Sequence, residues 1–351
     1  MAYINGIGII SPQDTLPGSA FLEPVIEHTS EFMKSIEPVY KQYIDPIASR
    51  RLSRLIKMGI SSAKMCMLDA GLEVPDAIIT GTGLGSVEDT EKILGELTKE
   101  EKFLNPTPFI QSTYNTISSQ IAINLKCHQY NSTYVHRCFS LESCLIDALL
   151  QIDEGSAQNV LTGGIDEMTL NHLTIIRRLG LWKMEAVSNL DLWSSPLPGA
   201  LAGEGAAYFN IAKERNEKTY ASLSAVETLY KPSSTEQTAE AVVRFVTEQG
   251  LRPEDVDLVM MGNNGYDEHD KICNEVMMKA LPSASRMLYK HLCGEYHTVS
   301  GFALFVAANI LRKQYIPSSL ITIPSAPGKL QTILIHNHFR DTDHSFILVR
   351  R

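Results

Sequence analysis

No run of this sequence approaches the roughly 18 consecutive apolar residues of a membrane-spanning helix, so no span is expected. The opening MAYINGIGIISP has no basic residues ahead of an apolar stretch and does not read as a secretory leader. Positive charge is scarce: 31 Lys and Arg against 40 Asp and Glu leave a formal charge of −9. A surface that tracks phosphates needs clustered cations, so nucleic acid is not expected as a partner. The one basic cluster, SRRLSRLIK at 49–57, reads as the solvated face of a helix. Six cysteines, at 66, 127, 138, 144, 273 and 293, form no C-x-x-C pair and no Cys/His spacing suited to zinc. No metal is expected, and reduced thiols in the cytoplasm are the natural reading.

What the chain does have is enough length and apolar content for a large core: 351 residues, 44% hydrophobic and 20% charged. YINGIGIISP is a short opening strand ending in Gly and Pro. Residues 50–71 carry helical periodicity and stop at Gly71, after which DAIITGTGLGS, 76–86, is a buried strand entering a Gly-rich loop. NTISSQIAINL, 115–125, is helical, and NVLTGGIDEM is a further strand and turn. The second half repeats the order. DLVMMGNNGYDEHD, 257–270, is a strand meeting a polar loop, and Val299, Phe302, Ala303, Val306, Ala307 and Ile310 share one helix face. A hairpin-like pair of strands closes the chain. This echo of element order predicts a duplicated α/β unit with sheets covered by helices.

The stretch STYVHRCFSLESCLIDALLQI, 132–152, sets Cys138 between a β-branched strand and a helix whose apolar face is Leu141, Cys144, Leu145, Ala148, Leu149 and Ile152. A free cysteine is most often buried and inert, and Cys144 on that face reads as core. A cysteine at a strand-to-helix junction gains thiolate character from the helix N-terminus, and the N–H groups there can form an oxyanion hole.

Taken with its flanks, the Cys138 region resembles the β-ketoacyl synthases of the thiolase-like superfamily. Asn115 lies 23 residues before Cys138, and Gly163-Gly164-Ile-Asp-Glu follows at +25 and +26, where that family has its Asn-containing helix and its Gly-Gly turn. GTGLG at 81–85 is similar to the Gly-Thr-Gly loop, GALAGEGAA at 199–207 to the Gly-Phe-Val-x-Gly-Glu-Gly-Ala motif, and Lys290, Gly294 and Gly301 to the Lys-Ser-x-x-Gly-His motif. The resemblance implies a thiolase-like α/β fold, with duplicated βαβαβ halves in five layers, α-β-α-β-α. The halves are expected at 1–190 and 191–351, together one compact domain. It implies acyl transfer to Cys138, then decarboxylative condensation with malonyl carrier protein in fatty acid, polyketide or aryl-polyene-type biosynthesis. No cofactor is implied. Phe139, Gly203, Gly301 and Phe339 are expected to bind substrate, with Phe339 the surviving aromatic of a gating loop. A homodimer, or a heterodimer with another ketosynthase, is expected, commonly paired through a strand near the nucleophile.

The chain departs from the family where two histidines are usual: Asn264 precedes Gly265, and Glu295 follows Gly294. Asn264 can still donate to an enolate oxygen. Glu295 near Cys138 would raise the thiol pKa; it can instead be protonated, act as a base or pair with Lys290. His297 takes the histidine role only if its loop is remodelled, because two residues are about 200° around a helix. His136 and His269 are further candidates. The catalytic set expected is therefore Cys138, Asn264, Glu295, His297 and Lys290. The retained cysteine favours an enzyme. The lost histidines leave open a non-condensing partner subunit akin to a chain length factor, or an acyltransferase or thioesterase without condensation.

Overall fold

The computed structural model describes residues 1–99, 104–323 and 328–351. Its strands are β1 (Ala2–Ile10), β2 (Ala77–Gly81), β3 (Tyr130–Tyr134), β4 (Asn159–Asp166), β5 (Gly205–Ala212), β6 (Ala221–Tyr230), β7 (Leu258–Met261), β8 (Ser285–Leu288), β9 (Ile321–Ile323), β10 (Thr332–Phe339) and β11 (Asp343–Arg350). They form one sheet in the order β3-β2-β4-β5-β1-β6-β11-β10-β7-β8-β9. Counted from its own start, each half runs third-second-fourth-fifth-first, with β9 added at the far edge of the second. Pairing repeats too. β2 is parallel to β3 and β4, as β7 is to β8 and β10, while β5 and β11 are antiparallel to both neighbours. Within the sheet, the halves join where Ala2–Ile4 pairs with Ala221–Leu223. The duplication is thus present in strand order and direction. The division falls between β5 and β6, however, so a boundary at 190/191 leaves β5 on the wrong side of it.

Side chains alternate across a strand, so each half offers an apolar face on both sides. Helices Arg54–Ala70 and Thr116–Leu125 cover one outer face through Leu55, Met58, Ile117 and Ile121 against Ile78, Leu161 and Tyr208. Helices Thr235–Glu248 and Asp267–Ala280 cover the other through Val242, Phe245, Cys273 and Met277 against Leu334, Phe346 and Leu348. Between the halves lie Ser140–Asp153 and Ser300–Lys313. Leu141, Cys144, Phe302 and Val306 of these helices pack with Ile79, Phe209, Ile333 and Ile347. This is the five-layer α-β-α-β-α arrangement. Each fully buried Leu or Phe in these layers contributes roughly 1.5–3 kcal/mol. Cys144 is wholly buried, as its place on the helix face indicates.

The helix expected over 50–71 spans Arg54–Ala70 and ends at Gly71, whose φ of +72° lets the chain turn out of the helix. One expectation on it fails. Arg54 is not on a solvated face but pairs with the buried carboxylate of Glu204, donating from Nη1 at 2.9 Å and from Nη2, and also reaches Glu37. Glu204 accepts further from the N–H groups of Ser35 and Met168. A buried carboxylate needs such partners, so GALAGEGAA is in part a structural clamp. No helix among the described residues is long and apolar enough to cross a membrane, and no group of three or more His, Cys, Asp or Glu is placed to hold a metal ion.

Candidate active site

Strand β3 ends at Tyr134, and the chain makes one tight turn, Arg137–Phe139, before helix Ser140–Asp153. Arg137 sits at φ +50°, a strained conformation for a residue with a side chain. Ser140 fixes this turn: its Oγ accepts from His136 N–H at 2.9 Å and reaches the carbonyls of Arg137 and Thr82. The Cys138 turn is thereby tied to the Gly-Thr-Gly loop. Cys138 is 6% exposed and lines a cavity of about 970 Å³ with Phe139, His269, Phe339, Arg340 and Asp343 among its walls.

The electrostatics run against the expected thiolate. Burial pushes the Cys138 thiol well above its usual range, and the carboxylate of Asp343, as charge and hydrogen-bond partner, pushes it further, as does Glu142. The expected oxyanion hole is also partly taken. Phe139 N–H donates to His136 O at 3.0 Å, and Ser140 N–H donates to Arg137 O. Glu142, one turn along the helix from Cys138, is fully buried and accepts from Ser345 Oγ at 2.9 Å. Burial lifts its own pKa to about 7.

The residues in place of the two histidines find each other. Gly294, at φ +72°, turns the chain so that Lys290 Nζ lies 2.6 Å from Glu295 Oε2, with both side chains almost fully buried. Asn264 Nδ2 donates to the same oxygen at 2.9 Å, while Asn264 Oδ1 accepts from Tyr266 N–H at 3.1 Å. Asp270 holds that loop by accepting from the N–H groups of Asn264 and Gly265, each at 2.9 Å. Of the open roles for Glu295, the structure has it paired with Lys290. None of the three lines the Cys138 cavity.

His297 lies elsewhere. It packs against Phe339, ring centroids 5.6 Å apart, and so close to Gly83 that a Cβ there would stand 2.3 Å away. Burial lowers its pKa, which keeps the ring neutral. It lines a separate small chamber with Asp166, Glu167, His172 and Trp182, and Phe339 lines both spaces. Gly203 and Gly301 line neither. A Cβ on Gly203 would meet the Cys293 carbonyl at 2.0 Å, and one on Gly301 would meet Ala207 at 2.9 Å, so both serve close packing. Of the other histidines, His269 lines the main cavity and is paired with Asp341; His136 lines it too, edge-on to Phe139.

Sequence reasoning missed Asp166. Its carboxylate accepts from Thr82 Oγ1 (3.2 Å), Gly83 N–H (2.8 Å), Thr298 N–H (2.9 Å) and Thr298 Oγ1 (2.8 Å). It joins the Gly-Thr-Gly loop, the Gly-Gly turn and the segment after Gly294 into one hydrogen-bonded cluster. Its place two residues after Gly164 was the available signal.

Comparison with known proteins agrees with this assembly of motifs. Residues 26–171 match the family model described as the β-ketoacyl synthase N-terminal domain. Among solved structures, the ishigamide ketosynthase/chain length factor superposes with a TM-score of 0.83 at 15% identity, covering 99% of this chain and 98% of that one. This is a ketosynthase fold. A type II polyketide synthase ketosynthase, solved with its acyl-carrier protein and bound to a hexaketide, gives a TM-score of 0.78 at 14% identity, over 99% and 98% of the two chains. A ketosynthase in complex with its chain length factor from Xenorhabdus doucetiae gives 0.75 at 12% identity, over 99% and 97%. No curated protein matches by sequence. At these identities the likeness carries the ketosynthase fold over the whole chain, and the family model carries the resemblance through the N-terminal half, Cys138 included.

Proposed function

We propose that this chain is a ketosynthase-fold subunit that receives a carrier-protein-borne acyl chain in the Cys138 cavity and does not itself catalyse decarboxylative condensation. The observation that carries this is the closed Lys290–Glu295–Asn264 set. Decarboxylation of a malonyl thioester leaves an enolate, whose oxygen must meet donors not already engaged. Here Glu295 Oε2 takes one N–H of the Asn264 amide and one of the Lys290 ammonium, and a carboxylate holds the sequence position where the family has its second donor. That carboxylate would repel the malonyl carboxylate as it approached. His297, the nearest histidine in sequence, lies behind Phe339.

Such a subunit works beside a condensing ketosynthase. Strand β3 pairs with β2 on one side only, and its Tyr130–Tyr134 segment is exposed or half-buried, which supports pairing with the mate there. A homodimer and a heterodimer would use the same edge, and the missing donors favour the heterodimer.

A second reading rests on Cys138 itself, retained beside Asp343 in an accessible cavity. In it, Sγ attacks the thioester carbonyl as its proton passes to Asp343. The carrier thiolate leaves and takes that proton, and the acyl group stays on Cys138. Incubating the pure chain with octanoyl and malonyl carrier proteins tests both. We expect no β-ketoacyl product from the chain alone, and a change in product length when it is added to its partner ketosynthase. An octanoyl mass on Cys138 without condensation establishes the second reading. A condensed product from the chain alone overturns the proposal.

A further inference from the structure

The small chamber behind Phe339 is not a lipid-like pocket. Its walls are Leu84, Met168 and the rings of Trp182, Tyr296 and Phe339, set among Asp166, Glu167, His172 and His297. Two of its lining residues each carry a buried polar atom with no hydrogen-bond partner among the described residues: Trp182 Nε1 and His297 Nδ1. Trp182 is 7% exposed, so bulk water does not serve its N–H. Orphaned buried donors of this kind are uncommon and costly.

The chemistry of those atoms narrows what would satisfy them. An indole N–H donates only, so its partner must be an acceptor. A neutral imidazole offers one donor and one acceptor, and suits an oxygen that carries or lacks a hydrogen. Burial also raises Glu167 to about 7, so its carboxyl is partly protonated near neutrality and is a third possible donor. Asp166 is the counterweight: its four accepted hydrogen bonds suit an ionised carboxylate. A carboxylate-ended ligand would face that charge in a space screened from water. The fit is therefore to a neutral oxygen on an apolar or flat carbon frame.

Access runs past Phe339, the one residue whose side chain walls both spaces. At about 20 Å³ the chamber now has room for about one water, so an acyl end enters only when the ring turns aside. Phe339 ends β10 and is half-buried, and the two residues after it, Arg340 and Asp341, both have φ above +50°. We propose that this chamber takes the distal end of the acyl chain held in the Cys138 cavity, and that it selects chains ending in a hydroxyl or carbonyl oxygen over chains ending in a methyl. The proposal rests on the acyl-receiving reading above and adds a substrate class to it.

The test is calorimetric titration of the pure protein with butanoyl, hexanoyl and octanoyl pantetheine and with their ω-hydroxy and ω-carboxy counterparts. At the length that reaches the chamber, the ω-hydroxy ligand should bind about ten-fold more tightly than the plain one, the scale of one buried hydrogen bond. The ω-carboxy ligand should show no such gain. Trp182→Phe should remove most of the preference, so that ω-hydroxy and plain ligands of that length bind alike. Equal affinities for methyl- and hydroxy-ended ligands at every length overturn this inference and leave the acyl-receiving reading standing. No binding of any acyl pantetheine overturns both.

Discussion

Replacing Asp343 by Asn should make Cys138 more reactive, and the size of the gain follows from the geometry. The thiol is buried, and the Asp343 carboxylate, on the wall of the same cavity, is the foremost charge acting against its ionisation. Two unit charges ~4 Å apart at an effective dielectric of about 20 repel by about 4 kcal/mol. Asp343 is half-buried, so solvent screens part of that, and about 2 kcal/mol is a fair share. At about 1.4 kcal/mol per pH unit, ionisation becomes easier by about 1.5 units, or about 30-fold in thiolate fraction. Intrinsic nucleophilicity falls with pKa, by about five-fold here, leaving a net gain of about six-fold. The assay is iodoacetamide alkylation at pH 8, with the modified residue located by peptide mass and Cys138→Ala as the blank. Cys66, Cys144, Cys273 and Cys293 are wholly buried and should not compete, and Cys127, no more exposed than Cys138, is resolved from it by the peptide masses. An unchanged or slower rate in Asp343→Asn would refute the claim that this carboxylate holds the thiol neutral. A slower acylation by carrier-protein thioester alone would instead mark Asp343 as the proton acceptor of the second reading.

Other consequences are measured by equilibrium denaturation. Breaking the buried pair by Lys290→Met should cost about 3–5 kcal/mol, because Glu295 is left buried and charged, whereas Lys290→Met with Glu295→Leu should cost much less. Gly203→Ala should cost about 3 kcal/mol, since its Cβ has no room beside the Cys293 carbonyl. His336 and His338 are held neutral by burial, their folded pKa values well below the ordinary 6.5. Below pH 6.5 the unfolded chain takes up protons that the native state refuses. The stability of the wild type relative to His338→Gln should therefore fall as pH drops through that value, and a flat difference would argue against burial as the cause. Glu142 carries the opposite sign. Its folded pKa of about 7 lies above the ordinary 4.5, so wild-type stability relative to Glu142→Gln should fall as pH rises from 4.5 through 7.

Much of the fold was legible because periodicity and punctuation are local. The helix ending at Gly71, the helix behind Cys138 and the closing hairpin needed only neighbouring residues. The duplication showed as element order, and the boundary between halves did not, because whether β5 belongs to the first half depends on pairing with β1 nearly two hundred residues away. The site divides in the same way. Cys138 was found from motif spacing. Its electrostatic neighbours were not, since Asp343 reaches it from the far end of the chain. Glu142 was the exception that local reasoning could have caught: it lies four residues past Cys138, a full turn along the chain in the first turn of the helix behind it. Glu204 and Asp166 looked like motif letters and proved to be clamps, which only their partners at positions 54 and 298 reveal.

The central claim is that the Lys290–Glu295–Asn264 set cannot support malonyl decarboxylation. The direct measurement is release of labelled carbon dioxide from malonyl carrier protein carrying the label on its free carboxyl, followed with the pure chain and no other synthase present. The account expects no release above the protein-free background, with or without an acyl carrier protein. Sustained release by the chain alone, abolished by Asn264→Ala or Glu295→Ala, would contradict it.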